Sequence, residues 1–172
     1  MSDRISDCPP LFPAGEHVLT MEQLREKCVD AFPISKTRQK IMAGFEHIFM
    51  LGVGFGIIGD LVIDGSFLTE EIDPDDIDFA VVVSPEFYDH CDAEQREFLE
   101  WIRDDFSIRD TNLCDCYLCV EWPAGHEQYF DGLQNREYWV KWYSKSTVLK
   151  RDRGVAIVNE WRLSARQAEG NL

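Results

Sequence analysis

The run Ile77-Asp78-Phe79-Ala80-Val81-Val82-Val83 constrains the fold of this chain more than any other stretch. A short apolar run bounded by turn formers reads as a strand, and one that is apolar on both faces belongs inside a sheet. A carboxylate, Asp78, nevertheless stands within it, and Asp76 stands two residues earlier. Side chains alternate across a strand, so Asp76 and Asp78 project from one face, a few ångströms apart. Like charges held that close raise each other's pKa unless a cation lies between them. Mg²⁺, or Mn²⁺ in its place, takes one or two carboxylates and completes its shell with substrate phosphates. The pattern points to phosphate chemistry.

Gly65-Ser66, shortly upstream, supplies a turn beside these acids. Glycine allows close backbone approach to a ligand, the Ser66 hydroxyl and following amides can donate to phosphate oxygens, and Thr69 adds a second hydroxyl. A third carboxylate would complete a clamp for displacement at phosphorus. Asp115 is the candidate, because it interrupts the apolar strand Leu113-Cys114-Asp115-Cys116-Tyr117-Leu118, where an unpartnered charge is costly. Glu121, at the far end of that segment, is the reserve.

Around this centre the chain reads as helices packed on a small mixed sheet, an α/β or α+β arrangement. Residues 1–19, with Pro9, Pro10, Pro13 and Gly15, form an extended arm. Thr20 and Gln23 make a capping box for a helix over 20–31. Ser35 caps a second helix that buries Ile41, Phe45, Ile48 and Phe49. Residues 61–63, 77–83, 113–122 and 155–158 read as strands, Pro85 opens one helix reaching Phe106, and residues 134–146 read as another helix. The glycines between 52 and 59 contain the letters of a dinucleotide fingerprint. They follow a helix and lead into a strand, the reverse of the order that motif requires, and so mark a glycine-rich exit from the second helix. The whole reads as one domain over 1–172, with 1–19 as the arm.

The chain carries 17 basic and 32 acidic residues, a net charge of −15. That balance disfavours an extended grip on nucleic acid. Residues 136–153 run the other way, with six bases and two acids. This island offers Lys145, Lys150 and Arg151 to the charge of a triphosphate. No apolar run approaches the ~18 residues of a membrane span, and the first residues lack the regions of a secretory leader. A cytoplasmic location is expected. The six cysteines lack the paired spacing of a zinc site and read as reduced, structural thiols.

Gly-Ser, nine residues, Asp-x-Asp on a strand and a further acid in a later strand resemble the nucleotidyltransferase superfamily of DNA polymerase beta. Asp64-Gly65-Ser66-Phe67-Leu68-Thr69, Pro74 to Asp78, the lead-in Phe32-Pro33-x-Ser35-x-Thr37-Arg38 and Gly154-Val155-Ala156-Ile157 are similar to a small bacterial and phage branch of it. The resemblance spans roughly residues 15–160. It implies transfer of a nucleoside monophosphate from a nucleoside triphosphate to an acceptor, with Mg²⁺ held by Asp76, Asp78 and Asp115. Gly65 and Ser66 fall at the family's phosphate-binding turn. The acceptor, whether protein, small molecule or RNA end, is not specified. Two departures keep a second possibility open. Phe67 to Glu71 stand where longer members place a basic residue, and 172 residues leave little room for an accessory helical domain. The alternative is a catalytically weak or inactive binding protein, such as an antitoxin, immunity or phage-defence module whose acidic surface meets a basic partner encoded nearby.

Overall fold

Five strands form one sheet in the order β1–β5–β2–β3–β4, where β1 is Gly15–Val18, β2 Gly59–Asp64, β3 Ile77–Val83, β4 Cys114–Val120 and β5 Gly154–Val158. The structure is a computed structural model that describes residues 8–104, 107–129, 140 and 153–161. β2 runs antiparallel to both of its neighbours, β3 and β5, whereas β3 pairs parallel with β4 and β1 parallel with β5. The fold is therefore α+β with a mixed sheet. A parallel pair needs a crossover, and α3 (Pro85–His90), α4 (Ala93–Asp104) and α5 (Ser107–Asn112) lie in the connection between β3 and β4.

Alternation along β3 divides the interior in two. Ile77, Phe79, Val81 and Val83 face a large core shared with Ile41, Met42, Phe45 and Ile48 of α2 (Arg38–Gly54) and with Phe98, Leu99 and Ile102 of α4. Ala80 and Val82 face the other way, into a smaller cluster with Val62, Cys119, Val155 and Ile157. Asp78 shares their parity and stands on that second face. β3 is thus apolar on both sides and flanked on both edges, as its composition implies.

The capping box forms: the Gln23 amide donates to Thr20 Oγ1 at 3.1 Å, and the Thr20 amide donates to Gln23 Oε1 at 3.0 Å. It opens α1 (Met21–Arg25), which continues as a π-helical turn over Glu26–Asp30. Ser35 caps as expected, its Oγ accepting from the Thr37 and Arg38 amides, although the helix itself begins only at Arg38. Gly52 and Gly54 lie in the last turns of α2 and Gly59 starts β2, so the glycine-rich segment is an exit into the sheet.

Three expectations change. The helix opened by Pro85 is two helices. After Cys91 a second capping box restarts the chain, with Asp92 Oδ1 accepting from the Gln95 amide at 2.9 Å and Gln95 Oε1 accepting from the Asp92 amide at 3.0 Å; Phe106 lies outside the described residues. A further helix, α5, follows where none was read. The described part of the arm is not simply extended: Gly15–Val18 joins the sheet as β1, and Pro10 bridges Thr69. Of the helix read over 134–146, residue 140 alone is described; it is helical, and Val140 packs on the second sheet face. All six cysteines lie among the described residues and none is in a disulfide, and no helix among the described residues is long and apolar enough to cross a membrane.

Candidate active site

Sheet register assembles the site. Asp78 is the partner of Asp64 on β2 and of Asp115 on β4. Paired residues on adjacent strands project to the same side, and strands lie about 4.8 Å apart. Three carboxylates therefore stand in a row across β2, β3 and β4. Asp76, two residues before Asp78, extends the row on the same face. The acids inferred from the sequence, Asp76, Asp78 and Asp115, are brought together. Asp64 joins them and was not singled out as an acid of the site, because its neighbour is set by pairing and not by spacing. Glu121 lies just beyond the opposite end of β4, six residues from Asp115, or about 20 Å along a strand, and takes no part.

β2 ends directly in the Gly-Ser turn. Gly65 has φ of 90°, and a Cβ there would run into the Asp78 carboxylate. Only glycine meets both demands. Ser66–Leu68 follow as a 3-10 turn, whose leading amides have no acceptor within the turn. Ser66 is half-buried at its head. Thr69 corrects the reading that its hydroxyl faces a ligand. It is buried, and its Oγ1 donates to the Ser66 carbonyl at 2.7 Å and accepts from the Glu71 amide. Its role is to brace the turn.

Arg38 holds that loop from behind. It is fully buried, and its guanidinium donates to the carbonyls of Cys28 (2.8 Å), Phe67 (2.7 Å), Thr69 (2.7 Å) and Glu71 (2.6 Å), with the Phe32 ring 3.8 Å away. A buried charge is tolerable when every donor is satisfied, and here the satisfaction links the π-helical turn, α2 and the loop after β2. Asp73 anchors the loop farther on, accepting from the Lys36 amide at 2.6 Å and the Ser35 hydroxyl at 3.1 Å.

Two arginines neutralise part of the acidic row. Arg109 of α5 reaches Asp76 at 2.5 Å and Asp115 at 3.5 Å, and Arg153, just before β5, reaches Asp64 at 2.7 Å. The charge is not balanced. Burial, then Asp76, Asp115 and Asp64 together, push the Asp78 carboxyl up to about 7. Burial lifts Asp64 to about 7 against the pull of Arg153, and its Oδ1 has no hydrogen-bond partner among the described residues. Asp76 is raised by burial, with Arg109 opposing. Tyr117, on the same face of β4, is pushed up to about 12 by burial and by Asp115 and Asp78.

Among the described residues four carboxyls face two guanidinium groups, and two of the four, Asp64 and Asp78, are held toward the protonated form. Their hard oxygens suit Mg²⁺ or Mn²⁺. Among the described residues no three such donors stand close enough together to hold a metal ion, and Arg109 pairs with Asp76 and Asp115. Mg²⁺ needs only one or two protein carboxylates, and paired carboxylates are the donor chemistry it takes. Lys145, Lys150 and Arg151, read as triphosphate contacts, lie outside the described residues. Arg109, Arg153 and Arg38 were not picked out as parts of the site from the sequence.

Compared with known families, residues 6–159 match the model of a family of unknown function, DUF6932. The chain belongs to that family. No curated protein matches it, and no solved structure does. The acidic row, the Gly65 turn and Arg109 all fall inside the stretch that defines DUF6932 membership here.

Proposed function

We propose that this chain is a Mg²⁺-dependent nucleotidyltransferase of the polymerase-beta type, moving a nucleoside monophosphate from a nucleoside triphosphate to an acceptor hydroxyl. The observation that carries this reading is the register of Asp64, Asp78 and Asp115 across three adjacent strands, with Asp76 beside them and Gly65 packed against Asp78. Asp76, Asp78 and Asp115 would hold the divalent ion, which when bound supplies charge neutralisation at the phosphate being transferred. Ser66 and the amides of its turn would hold the β- and γ-phosphates. An Asp115 oxygen would take the proton of the acceptor hydroxyl as its oxygen bonds to the α-phosphorus and the bond to pyrophosphate breaks. Among the described residues β4 is the edge strand and the Asp115 side chain is partly exposed, which supports the acceptor's approach from that side.

A second reading has its own support. Arg109 already bridges Asp76 and Asp115, and a protein that keeps an arginine there permanently needs no metal. It would be a nucleotidyltransferase-like binding module. Labelled nucleoside triphosphate with Mg²⁺ or Mn²⁺ separates the two. Transfer of label, abolished by Asp76→Asn, is expected of the enzyme. No metal–nucleotide heat in calorimetry, with Asp76→Asn leaving capture of the neighbouring gene's product intact, would replace it with the binding module.

A further inference from the structure

Arg109 and a divalent ion compete for one place. Two of its guanidinium nitrogens reach toward one oxygen each of Asp76 (2.5 Å) and Asp115 (3.5 Å), and a positive charge placed there repels a cation approaching the same carboxylates. The partners differ in freedom. The Asp76 side chain is 12% exposed, whereas that of Arg109 is 59% exposed. The Asp76 carboxylate is fixed at the mouth of β3. Arg109 hangs from a helix whose far end is anchored, since Gly44 of α2 brings that helix so close to the Asn112 backbone that no Cβ would fit between them. The helix stays and the long side chain can swing into solvent. At the other end of the row, Asp64 is buried and pairs with Arg153 through Oδ2 only, its Oδ1 having no hydrogen-bond partner among the described residues.

We infer that Arg109 is an exchangeable internal counter-ion. It keeps a free divalent cation out of the site and gives way when the cation arrives with a polyphosphate, whose oxygens take the guanidinium in exchange for Asp76. The inference rests on the transferase reading for its polyphosphate and on the acidic row alone for its cation. A guanidinium is well suited to this trade, because its planar fork binds carboxylate and phosphate equally.

The experiment titrates the full-length protein with Mn²⁺ alone, and with Mn²⁺ plus a non-hydrolysable nucleoside triphosphate analogue, following bound Mn²⁺ by electron paramagnetic resonance. Arg109→Gln and Arg109→Lys are compared with the parent, and circular dichroism verifies their fold. Removing a charge a few ångströms from the ion tightens Mn²⁺ alone by roughly tenfold or more in Arg109→Gln. The same variant binds the Mn²⁺–analogue complex more weakly, and Arg109→Lys keeps the parent's order. A packing role for Arg109 does not produce opposite changes for two ligands. Mn²⁺ alone bound no tighter by Arg109→Gln overturns the counter-ion, whatever the nucleotide does. Tighter Mn²⁺ with an undiminished analogue complex overturns the exchange and leaves the transferase standing. Tighter Mn²⁺ with no analogue binding by any form overturns the exchange and the transferase together.

Discussion

Asp78→Asn is expected to make this protein more stable while removing one carboxylate of the proposed divalent-ion site. Asp78 titrates near 7 in the folded chain, against roughly 3.9 when unfolded. Between those values the folded state holds a proton that the unfolded state has released, so stability falls as pH rises through the window from about 4 to about 7. At ~1.4 kcal/mol for each pH unit, ionised Asp78 costs the fold about 4 kcal/mol at pH 8. Asparagine has the same shape and never ionises, but its amide must find partners of its own. About 2 kcal/mol of net gain is expected, a rise in Tm of about 4–8 °C for a chain of this size. Thermal unfolding of both proteins at pH 8, 6 and 4, without divalent ions, measures it. The gain should shrink with falling pH and be gone near pH 4. An Asp78→Asn protein less stable than the parent at pH 8, or one equally stabilised at every pH, refutes the charge argument.

Arg38→Met strips the donors from the carbonyls of Cys28, Phe67, Thr69 and Glu71 and should cost about 3–5 kcal/mol in urea unfolding; a loss under about 1 kcal/mol contradicts the role assigned to it. Gly65→Ala must adopt a left-handed φ and pushes on the Asp78 carboxylate. A loss of about 2–4 kcal/mol is expected, together with weaker Mn²⁺ binding, and an alanine variant matching the parent in both measurements rejects the close packing of turn and acid.

β3 was legible to the residue because a run of β-branched and aromatic side chains between turn formers has few other solutions. The alternation that places Asp76 with Asp78, and Asp115 opposite Cys114 and Cys116, follows from the same two-residue period. Legibility fails where contacts are non-local. Nothing in the spacing of Asp64 and Asp78 announces that they are register partners. α5 reads Ser-Ile-Arg-Asp-Thr-Asn, with Ile108 its one buried residue, too short and polar to show a helical stripe. Arg109 was lost with it. Arg38 was lost for a different reason: arginine is rarely fully buried, and the four carbonyls that permit it converge only after folding. The break before α4 was in plain view, since Asp92 and Gln95 have the spacing that identified Thr20 and Gln23.

The arrangement of the second sheet face argues that the acids are there for a ligand. Along β2, β3 and β4 the same face passes from Asp64, Asp78 and Asp115 through Val62, Ala80 and Tyr117 to Asp60, Val82 and Cys119, apolar for the most part. An apolar floor lowers the local dielectric, so it strengthens the repulsion among the carboxylates above it. Were stability the only demand, apolar side chains continuing that floor would serve better, since buried ionic groups seldom repay their desolvation. The chain instead carries two carboxyls pushed up to about 7 and engages two arginines to contain them. Titratable groups forced this far from their ordinary values, beside a glycine turn that admits no side chain, are the pattern expected of a functional site. On the proposed reading, the free energy lost in holding the carboxylates together is recovered when a cation binds among them.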